Sequence, residues 1–253
     1  MKIIAQKKIT TLFLIYVLLQ SCNFTTNVKK QEKVKDSISS WINASRKKSN
    51  SLGKKKHYLQ KAYKKLKTIE DNKEKAKKLS IIAYRYYELN DTIPFQRINT
   101  ETQKLAYQLK DSFTIADTHW SLADYYNHRE IYSKSFYHYN EAYKYFKNIN
   151  KEYETARMLY AMAYIKGRYR DYSESEVLTF KAIEKFKKLK NNKYLYIAYN
   201  NLGLLQNDVK RFDRAIKYHQ KSKEYIPKTK EKHYYRAIYH NIGLALMNKK
   251  EYS

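Results

Sequence analysis

A period of 40 residues runs through this sequence and constrains its fold more than any other feature. One column holds only small residues: Ala83, Ala123, Ala163, Gly203 and Gly243. A second column is aromatic, with Tyr132, Tyr172, Phe212 and Tyr252, and a third is again small, with Ala62, Thr102, Ala142, Ala182 and Ser222. Three columns with one period predict an array of similar units, each of which packs only on its neighbours.

Each unit is predicted to contain two helices. In the unit that starts at Ala198, apolar residues recur at Tyr199, Leu202 and Leu205, which lie on one face of a helix. A polar turn follows at 207–211, and Pro227 ends the second helix because proline lacks an N–H group. The 253 residues include only 4 Gly and 2 Pro, which is too few for the many turns of a strand-rich fold.

The order of residues in this unit resembles the tetratricopeptide repeat (TPR) pattern: Tyr199, Leu202-Gly203, Phe212, Ala215, Ser222 and Pro227. The resemblance implies an all-α, right-handed superhelical solenoid of antiparallel helix pairs over residues 37–253, with an incomplete last repeat. TPR units usually span about 34 residues. We therefore expect the extra length to lie in extended second helices and in linkers such as 187–193, and we expect an irregular segment at 90–94.

The first 36 residues are predicted to be a targeting signal followed by a tether. Lys2, Lys7 and Lys8 precede the apolar stretch 9–19, which is shorter than the roughly 20 residues that span a bilayer, so residues 1–21 are typical of a signal peptide. The sequence Leu19-Gln20-Ser21-Cys22 resembles the bacterial lipobox, and Cys22 is the single cysteine of the chain. This resemblance implies lipidation of Cys22, a polar tether over 22–36 and a membrane-anchored lipoprotein of the bacterial cell envelope, facing the periplasm or the surface. The alternative is an ordinary signal peptide or signal anchor with an incidental cysteine.

Signatures of catalysis are missing from the sequence. It contains no His-Glu-x-x-His, no glycine-rich phosphate loop and no Gly-x-Ser-x-Gly elbow. No two histidines stand three or four residues apart, which argues against a metal pair on one helix. We therefore predict a protein that is not an enzyme and that has neither a cofactor nor a metal site.

In TPR arrays the first helix of each pair lines the concave surface, where an extended peptide or a protein segment binds. The resemblance therefore implies a set of groove residues: Tyr84, Tyr87, Trp120, Asp124, Asn127, Tyr160, Tyr164, Arg168, Asn200, Leu204, Asn207 and His240. Trp120, Tyr160 and Tyr164 could instead be packing residues, because aromatic stripes at helical spacing are usually core. The lysine clamp of chaperone-tail-binding TPR proteins is disfavoured, since Trp120, Tyr160 and Asn200 occupy the positions where its lysines are expected.

Three functional hypotheses follow, and the first is a membrane-anchored scaffold that binds a protein or peptide. It could be the sensor portion of a signalling protein, because the chain resembles the front part of membrane-associated TPR signalling proteins. The net charge of +28 motivates a second hypothesis, a basic nucleic-acid binder, which an exported location makes unlikely. The third is a structural envelope lipoprotein. Because the last unit stops near Tyr252, we expect a helix over 235–250 that exposes Ile238, Leu244 or Met247, with self-association through this end or a natural continuation.

Overall fold

The structure, a computed structural model, describes residues 37–226 and 234–252. All regular elements in these ranges are α-helices, apart from single residues in 3₁₀ conformation. The helices are α1 (37–46), α2 (Leu52–Leu66), α3 (Lys73–Glu88), α4 (Thr92–Gln108), α5 (Ser112–His128), α6 (Tyr132–Asn148), α7 (Glu152–Arg168), α8 (Tyr172–Lys188), α9 (Asn192–Asp208), α10 (Phe212–Tyr225) and α11 (Tyr235–Tyr252). The predicted signal peptide, Cys22, the tether and Pro227 lie outside the described residues. The chain divides into two compact units, with the boundary inside α4 after Ile98.

The repeat is long because both helices of each pair are long. Helices α5 to α9 contain 17 residues each, and consecutive helices are separated by turns of three residues. The second helix α8 is extended as expected, but the first helices are equally long. The expected linker at 187–193 is wrong, since only 189–191 lie between α8 and α9. In the second unit, successive helices from α5 to α11 pack as antiparallel neighbours, most extensively in the pairs α5–α6, α7–α8 and α9–α10.

Every turn between α3 and α10 uses one residue in the left-handed region, and none of them is glycine. These residues, at φ from 49° to 60°, are Asn90, Lys110, Glu130, Asn150, Arg170, Lys190 and Lys210. The residue after each donates its N–H to the carbonyl five residues back, as Asn191 does to Phe186 at 2.9 Å. This bond is that of a Schellman motif, which most often has glycine at the left-handed position. A side chain there costs about 1–2 kcal/mol, and the cost recurs every 20 residues.

This turn chemistry predicts a stabilising substitution. Lys190→Gly should raise the free energy of unfolding by up to about 1 kcal/mol, because relief of the left-handed strain exceeds the entropy that glycine adds to the unfolded chain. Asn150→Gly is the matched control and should gain less, because asparagine tolerates this conformation. Urea unfolding of both variants measures the difference. A loss of stability at Lys190→Gly, or a gain no larger than the gain at Asn150→Gly, would contradict this explanation.

The small-residue columns occupy the closest helix contacts, as the period predicted. In the second unit, Ser135 and Ser175 donate to the carbonyls of Ala123 and Ala163, at 3.0 and 2.8 Å. Backbone carbonyls become reachable by a serine hydroxyl only where two helices lie close together. Every member of the third column is fully buried: Ala62, Thr102, Ala142, Ala182 and Ser222.

The first unit comprises α1 to α3 and the start of α4, and its core includes the fully buried Leu59, Leu79 and Phe95. Lys78 on α3 donates to the Ser39 hydroxyl on α1 at 3.1 Å, so that a nearly buried ammonium group has a partner. The segment 90–94 is not irregular as expected. Pro94 lies in the first turn of α4, where its missing N–H has no intrahelical acceptor to lose.

The last described helix confirms one expectation and corrects another. Residues 235–250 are helical within α11, and Leu244 and Met247 are exposed as expected. Ile238, expected to be exposed, is instead buried in a cluster with Tyr196 and Ile226. The reason is that α11 turns this face towards α9 and the end of α10, which bury it.

Candidate functional site

Two neighbouring cavities open along the first helices of the repeats in the second unit, and we call them together the groove. Cavity 1, of about 280 Å³, is lined by Trp120, Asp124, Asn127, Tyr139, Arg157, Met158, Tyr160, Ala161, Tyr164 and Tyr194. Cavity 2, of about 720 Å³, is lined by Tyr164, Gly167, Arg168, Arg170, Tyr172, Ser175, Asn201, Leu204, Leu205 and Asp208. Tyr164 borders both cavities, so that the groove runs across α5, α7 and α9.

Helix α7 supplies the centre of the groove through the spacing of its residues. Arg157, Tyr160, Tyr164 and Arg168 follow one another at intervals of three, four and four, which places them on one face of the helix. Tyr164 is 45% exposed although it is a large aromatic residue, and Leu204 on α9 is 38% exposed. The groove therefore presents apolar surface to solvent between its charged groups.

Asp124 is a carboxylate enclosed by hydrogen-bond donors at the bottom of cavity 1. The hydroxyl of Tyr139 donates to its Oδ1 at 2.6 Å. Burial raises the pKa of Asp124 to about 6, although hydrogen bonds from Tyr139 and Trp120 and the charge of Arg157 act to lower this pKa. Two donors from inside the protein therefore hold this carboxylate, which fixes the position of the negative charge.

Arg157 stands beside this carboxylate with its guanidinium over aromatic rings. Its Cζ atom lies 4.2 Å from the centre of the Trp120 ring and 5.5 Å from that of Tyr194. A guanidinium at these distances is held by cation–π attraction and by stacking. The group is therefore positioned by ring faces.

The remaining polar groups of cavity 1 are neutral. Asn201 donates a hydrogen bond to the hydroxyl of Tyr160, and burial raises the pKa of this phenol well above its usual range. Burial likewise raises the pKa of Tyr194 to about 12. Both tyrosines are therefore phenols at neutral pH, and neither can serve as a general base there.

Cavity 2 carries two arginines and one carboxylate. Arg168 donates from Nε to the hydroxyl of Tyr132 at 3.0 Å and lies over the same ring. Burial raises the pKa of Asp208, and the nearby charge of Arg170 lowers it. This end of the groove is larger and more positive than cavity 1.

Seven of the twelve predicted groove residues line the two cavities. Trp120, Asp124, Asn127, Tyr160 and Tyr164 line cavity 1, and Arg168 and Leu204 line cavity 2. Whether they contact a ligand stays a prediction.

The other five predicted residues lie elsewhere. The Oδ1 atom of Asn200 lies 2.9 Å from Nδ1 of His219 and 2.9 Å from Nδ2 of Asn241, so this amide belongs to the helix packing. His240 is exposed on α11. Asn207 has both amide atoms buried without a hydrogen-bond partner in the described chain. In the first unit, Tyr87 packs against Tyr84 and Phe95.

Sequence reasoning missed twelve of the lining residues, among them Tyr139, Arg157, Tyr194 and Asn201. Arg157 and Tyr160 are three residues apart, so extension of the α7 stripe by one turn would have found Arg157. Asn201 replaces Asn200 because α9 is turned by one position relative to the expected register. Tyr139 belongs to a second helix, which the family pattern assigns to packing.

No group of three or more His, Cys, Asp or Glu residues that could hold a metal ion occurs in residues 37–226 and 234–252. The same ranges contain no helix with the length and apolar character needed to cross a bilayer. One histidine pair escaped the sequence analysis, because His119 on α5 and His138 on α6 are 19 residues apart. Their Nδ1 atoms lie 2.9 Å apart, so that one nitrogen donates and the other accepts.

The comparisons with known proteins agree on the fold. The chain superposes on the apo form of RapI with a TM-score of 0.75 at 17% identity, over 87% of this chain and 82% of that chain. Aspartyl phosphate phosphatase F from Bacillus subtilis gives a TM-score of 0.71 at 20% identity, over 78% of this chain and 52% of that chain. BtubC (BKLC) from P. vanneervenii gives a TM-score of 0.62 at 18% identity, over 83% of this chain and 84% of that chain.

Identities this low show the fold alone, and the all-α, TPR-like repeat of antiparallel helix pairs is confirmed. No family model matches the sequence, and the search of curated proteins found no significant match.

Proposed function

We propose that this protein is a non-enzymatic scaffold that binds an extended peptide or a protein segment in the groove. The observation that carries the proposal is the continuity of the two cavities at Tyr164, which creates one strip across three repeats. Exposed aromatic and aliphatic side chains in the strip suit apolar anchors of a ligand, and its amide and guanidinium groups suit a peptide backbone. The groove offers positioned donors and ring faces, which favours recognition over bond-breaking chemistry.

The test compares equally exposed apolar residues inside and outside the groove. Peptides selected on the full chain from a display library would be measured against Tyr164→Ala and Leu204→Ala. Tyr137→Ala and Phe180→Ala are the controls, because these residues are 58% and 41% exposed but line neither cavity. We expect losses of affinity of about tenfold or more only for the groove variants. Equal losses in both sets, or losses only in the controls, would rule out the groove.

We further propose that the scaffold is anchored to the bacterial envelope through Cys22. The alternative is an ordinary export signal with an incidental cysteine. Two or more acyl chains anchor a protein stably, whereas one chain binds only marginally. Cys22→Ser should release the protein into the soluble fraction or leave the precursor uncleaved. Metabolic labelling with an acyl probe measures this directly, and label that persists in Cys22→Ser would show that the anchor lies elsewhere.

A role as the sensor portion of a signalling protein is a proposal that rests on the TPR resemblance. Self-association is a second proposal, supported by the exposed apolar side chains of α11: Tyr239, Leu244, Leu246 and Met247. Neither proposal is needed for the groove to bind a peptide.

Nucleic-acid binding is the second candidate function, because residues 37–69 contain ten Lys or Arg residues and no Asp or Glu. Lys54, Lys61 and Lys64 are exposed on α2. Binding by such a face relies on phosphate neutralisation, so we expect it to be non-selective and to weaken by about 10³-fold or more between 50 and 200 mM salt if six or more phosphates are contacted. Fluorescence anisotropy with labelled RNA and DNA measures this loss, and tight sequence-selective binding at 150 mM salt would favour a nucleic-acid binder over the scaffold.

A further inference from the structure

Arg157 has more hydrogen-bonding capacity than the protein uses. A guanidinium carries five N–H donors, and in the described ranges Arg157 makes neither a hydrogen bond nor an ion pair within 4.0 Å. Its contacts are the rings of Trp120, Tyr153 and Tyr194, at 4.2, 5.9 and 5.5 Å. Aromatic faces hold the plane of a guanidinium but do not accept its in-plane N–H bonds. The donors are therefore left for a partner that enters cavity 1.

The charge of that partner follows from what already occupies the cavity. A ligand cation would have to approach the Arg157 guanidinium, which already lies against the ring faces that would otherwise attract such a cation. Asp124, the carboxylate of the cavity, accepts hydrogen bonds from Tyr139 and Trp120 and is thus already supplied with donors. A carboxylate ligand would meet the opposite situation, because a planar fork of donors matches its two oxygens.

We propose that Arg157 is the receptor for a carboxylate of the bound peptide, either an Asp or Glu side chain or the free C-terminus. This inference rests on the proposed function and names the chemistry that cavity 1 selects. Asp124 is a positioning residue here, because its charge attracts the Arg157 guanidinium without forming an ion pair with it. The Tyr139 hydroxyl, 2.6 Å from Oδ1, holds this carboxylate in place. Trp120 and Tyr194 fix the guanidinium plane, so that little side-chain freedom is lost when the ligand binds.

Four peptide libraries of equal length test this inference, each measured against the full chain. They carry either a fixed internal Glu or the matched Gln, and either a free or an amidated C-terminus. Two tryptophans occur in the chain, so in a Trp41→Phe background the fluorescence of Trp120 reports on cavity 1. We expect at least one carboxylate source to strengthen binding by about tenfold or more and to change this fluorescence. The arm that responds identifies the source.

The variants separate recognition from folding. Arg157→Gln should abolish the preference for a carboxylate, whereas Arg157→Lys should keep part of it because the charge remains but the planar fork is lost. Arg214→Gln on α10 is the matched control, because this exposed arginine lines neither cavity, and it should leave the preference unchanged. Helical circular dichroism and melting of each variant show that the fold is intact, and Arg157→Lys keeps the inference testable if Arg157→Gln is destabilised.

Every outcome of this experiment counts for or against the inference. Equal binding of carboxylate and amide peptides with retained dependence on Tyr164 would overturn the inference and leave the proposed function standing. A further library with a fixed internal Lys provides the reverse test, and a preference for it would also overturn the inference and make Asp124 the receptor. If no library binds, the proposed function and this inference fail together.

Discussion

Gly203→Leu is expected to lower the free energy of unfolding by about 1–3 kcal/mol or more, because it overpacks the closest contact between α9 and α10. A Cβ atom placed on Gly203 would overlap the imidazole ring of His219, which is fully buried. The ring cannot move aside cheaply, since its Nδ1 atom lies 2.9 Å from Oδ1 of Asn200. Even Gly203→Ala should therefore destabilise the protein, against the usual preference of helices for alanine.

The controls for this prediction come from the same column and from the surface. Gly243 occupies the equivalent position in α11, where an added Cβ atom would meet nothing within 4 Å. Gly243→Ala should thus stabilise the protein by about 0.5–1 kcal/mol. Ala163→Leu should cost as much as Gly203→Leu, whereas the surface change Lys217→Gln should stay within about 0.5 kcal/mol. If Gly203→Ala and Gly243→Ala change the free energy of urea unfolding by small and equal amounts, the packing register is wrong.

Acidification below pH 6.5 is expected to destabilise the protein through its buried histidines. Burial lowers the pKa of His119, and burial together with the charge of His119 lowers the pKa of His138 to about 4. Burial alone lowers the pKa of His219 to about 4. A histidine whose folded pKa is depressed contributes stability that is complete above the unfolded pKa of about 6.5 and is lost as the pH falls towards the folded value. His138 and His219 should each cost on the order of 1–3 kcal/mol by pH 4.

The surroundings of the histidine pair show which groups take part. His119 contacts Gln103 and Tyr107 of α4 through Nε2, and it stacks on Tyr145 of α6. His138 stacks on Tyr126 of α5. Glu141 attracts protons to both rings, whereas Lys134 opposes protonation of His138. Burial and mutual repulsion outweigh the attraction by Glu141, so the neutral pair is favoured.

The next repeat supplies the variant that isolates this effect. Leu159 and Leu178 occupy the positions 40 residues after His119 and His138. The double variant His119→Leu/His138→Leu should therefore fit the packing. Its melting temperature should fall less between pH 7 and 4.5 than that of the unchanged protein, and the remaining fall should come from His219. Asp124 acts in the opposite direction, because its raised pKa of about 6 makes the folded state relatively more stable as it protonates. An unchanged slope in the double variant would show that the pair does not titrate in this range.

The sequence was informative wherever a residue type had to recur. Ala123, Ala163 and Gly203 revealed the helix contacts because only small side chains fit there, and the period of 40 residues set the number of helices per unit. The turn geometry was hidden, since Lys110 and Lys190 adopt left-handed φ values without the glycine that normally signals them.

The groove was predicted in part, for a physical reason. Positions on the first helices could be carried over from the family pattern, and they found Trp120, Asp124 and Tyr164. Which neighbour within a stripe faces the cavity depends on the rotation of each helix about its axis. A rotation of one position separates Asn200 from Asn201, and no local sequence signal determines it. Contacts between different helices, such as His119 with His138, were likewise invisible.

Site-specific photocrosslinking tests the central claim most directly. A benzophenone amino acid replaces Tyr164, where both cavities meet, or Tyr137, which is more exposed but lines neither cavity. After irradiation with a selected labelled peptide, we expect a crosslink at position 164 that an excess of unlabelled peptide prevents, and no such crosslink at position 137. Crosslinking that is equal at the two positions, or that occurs only at position 137, would show that the peptide does not bind in the groove.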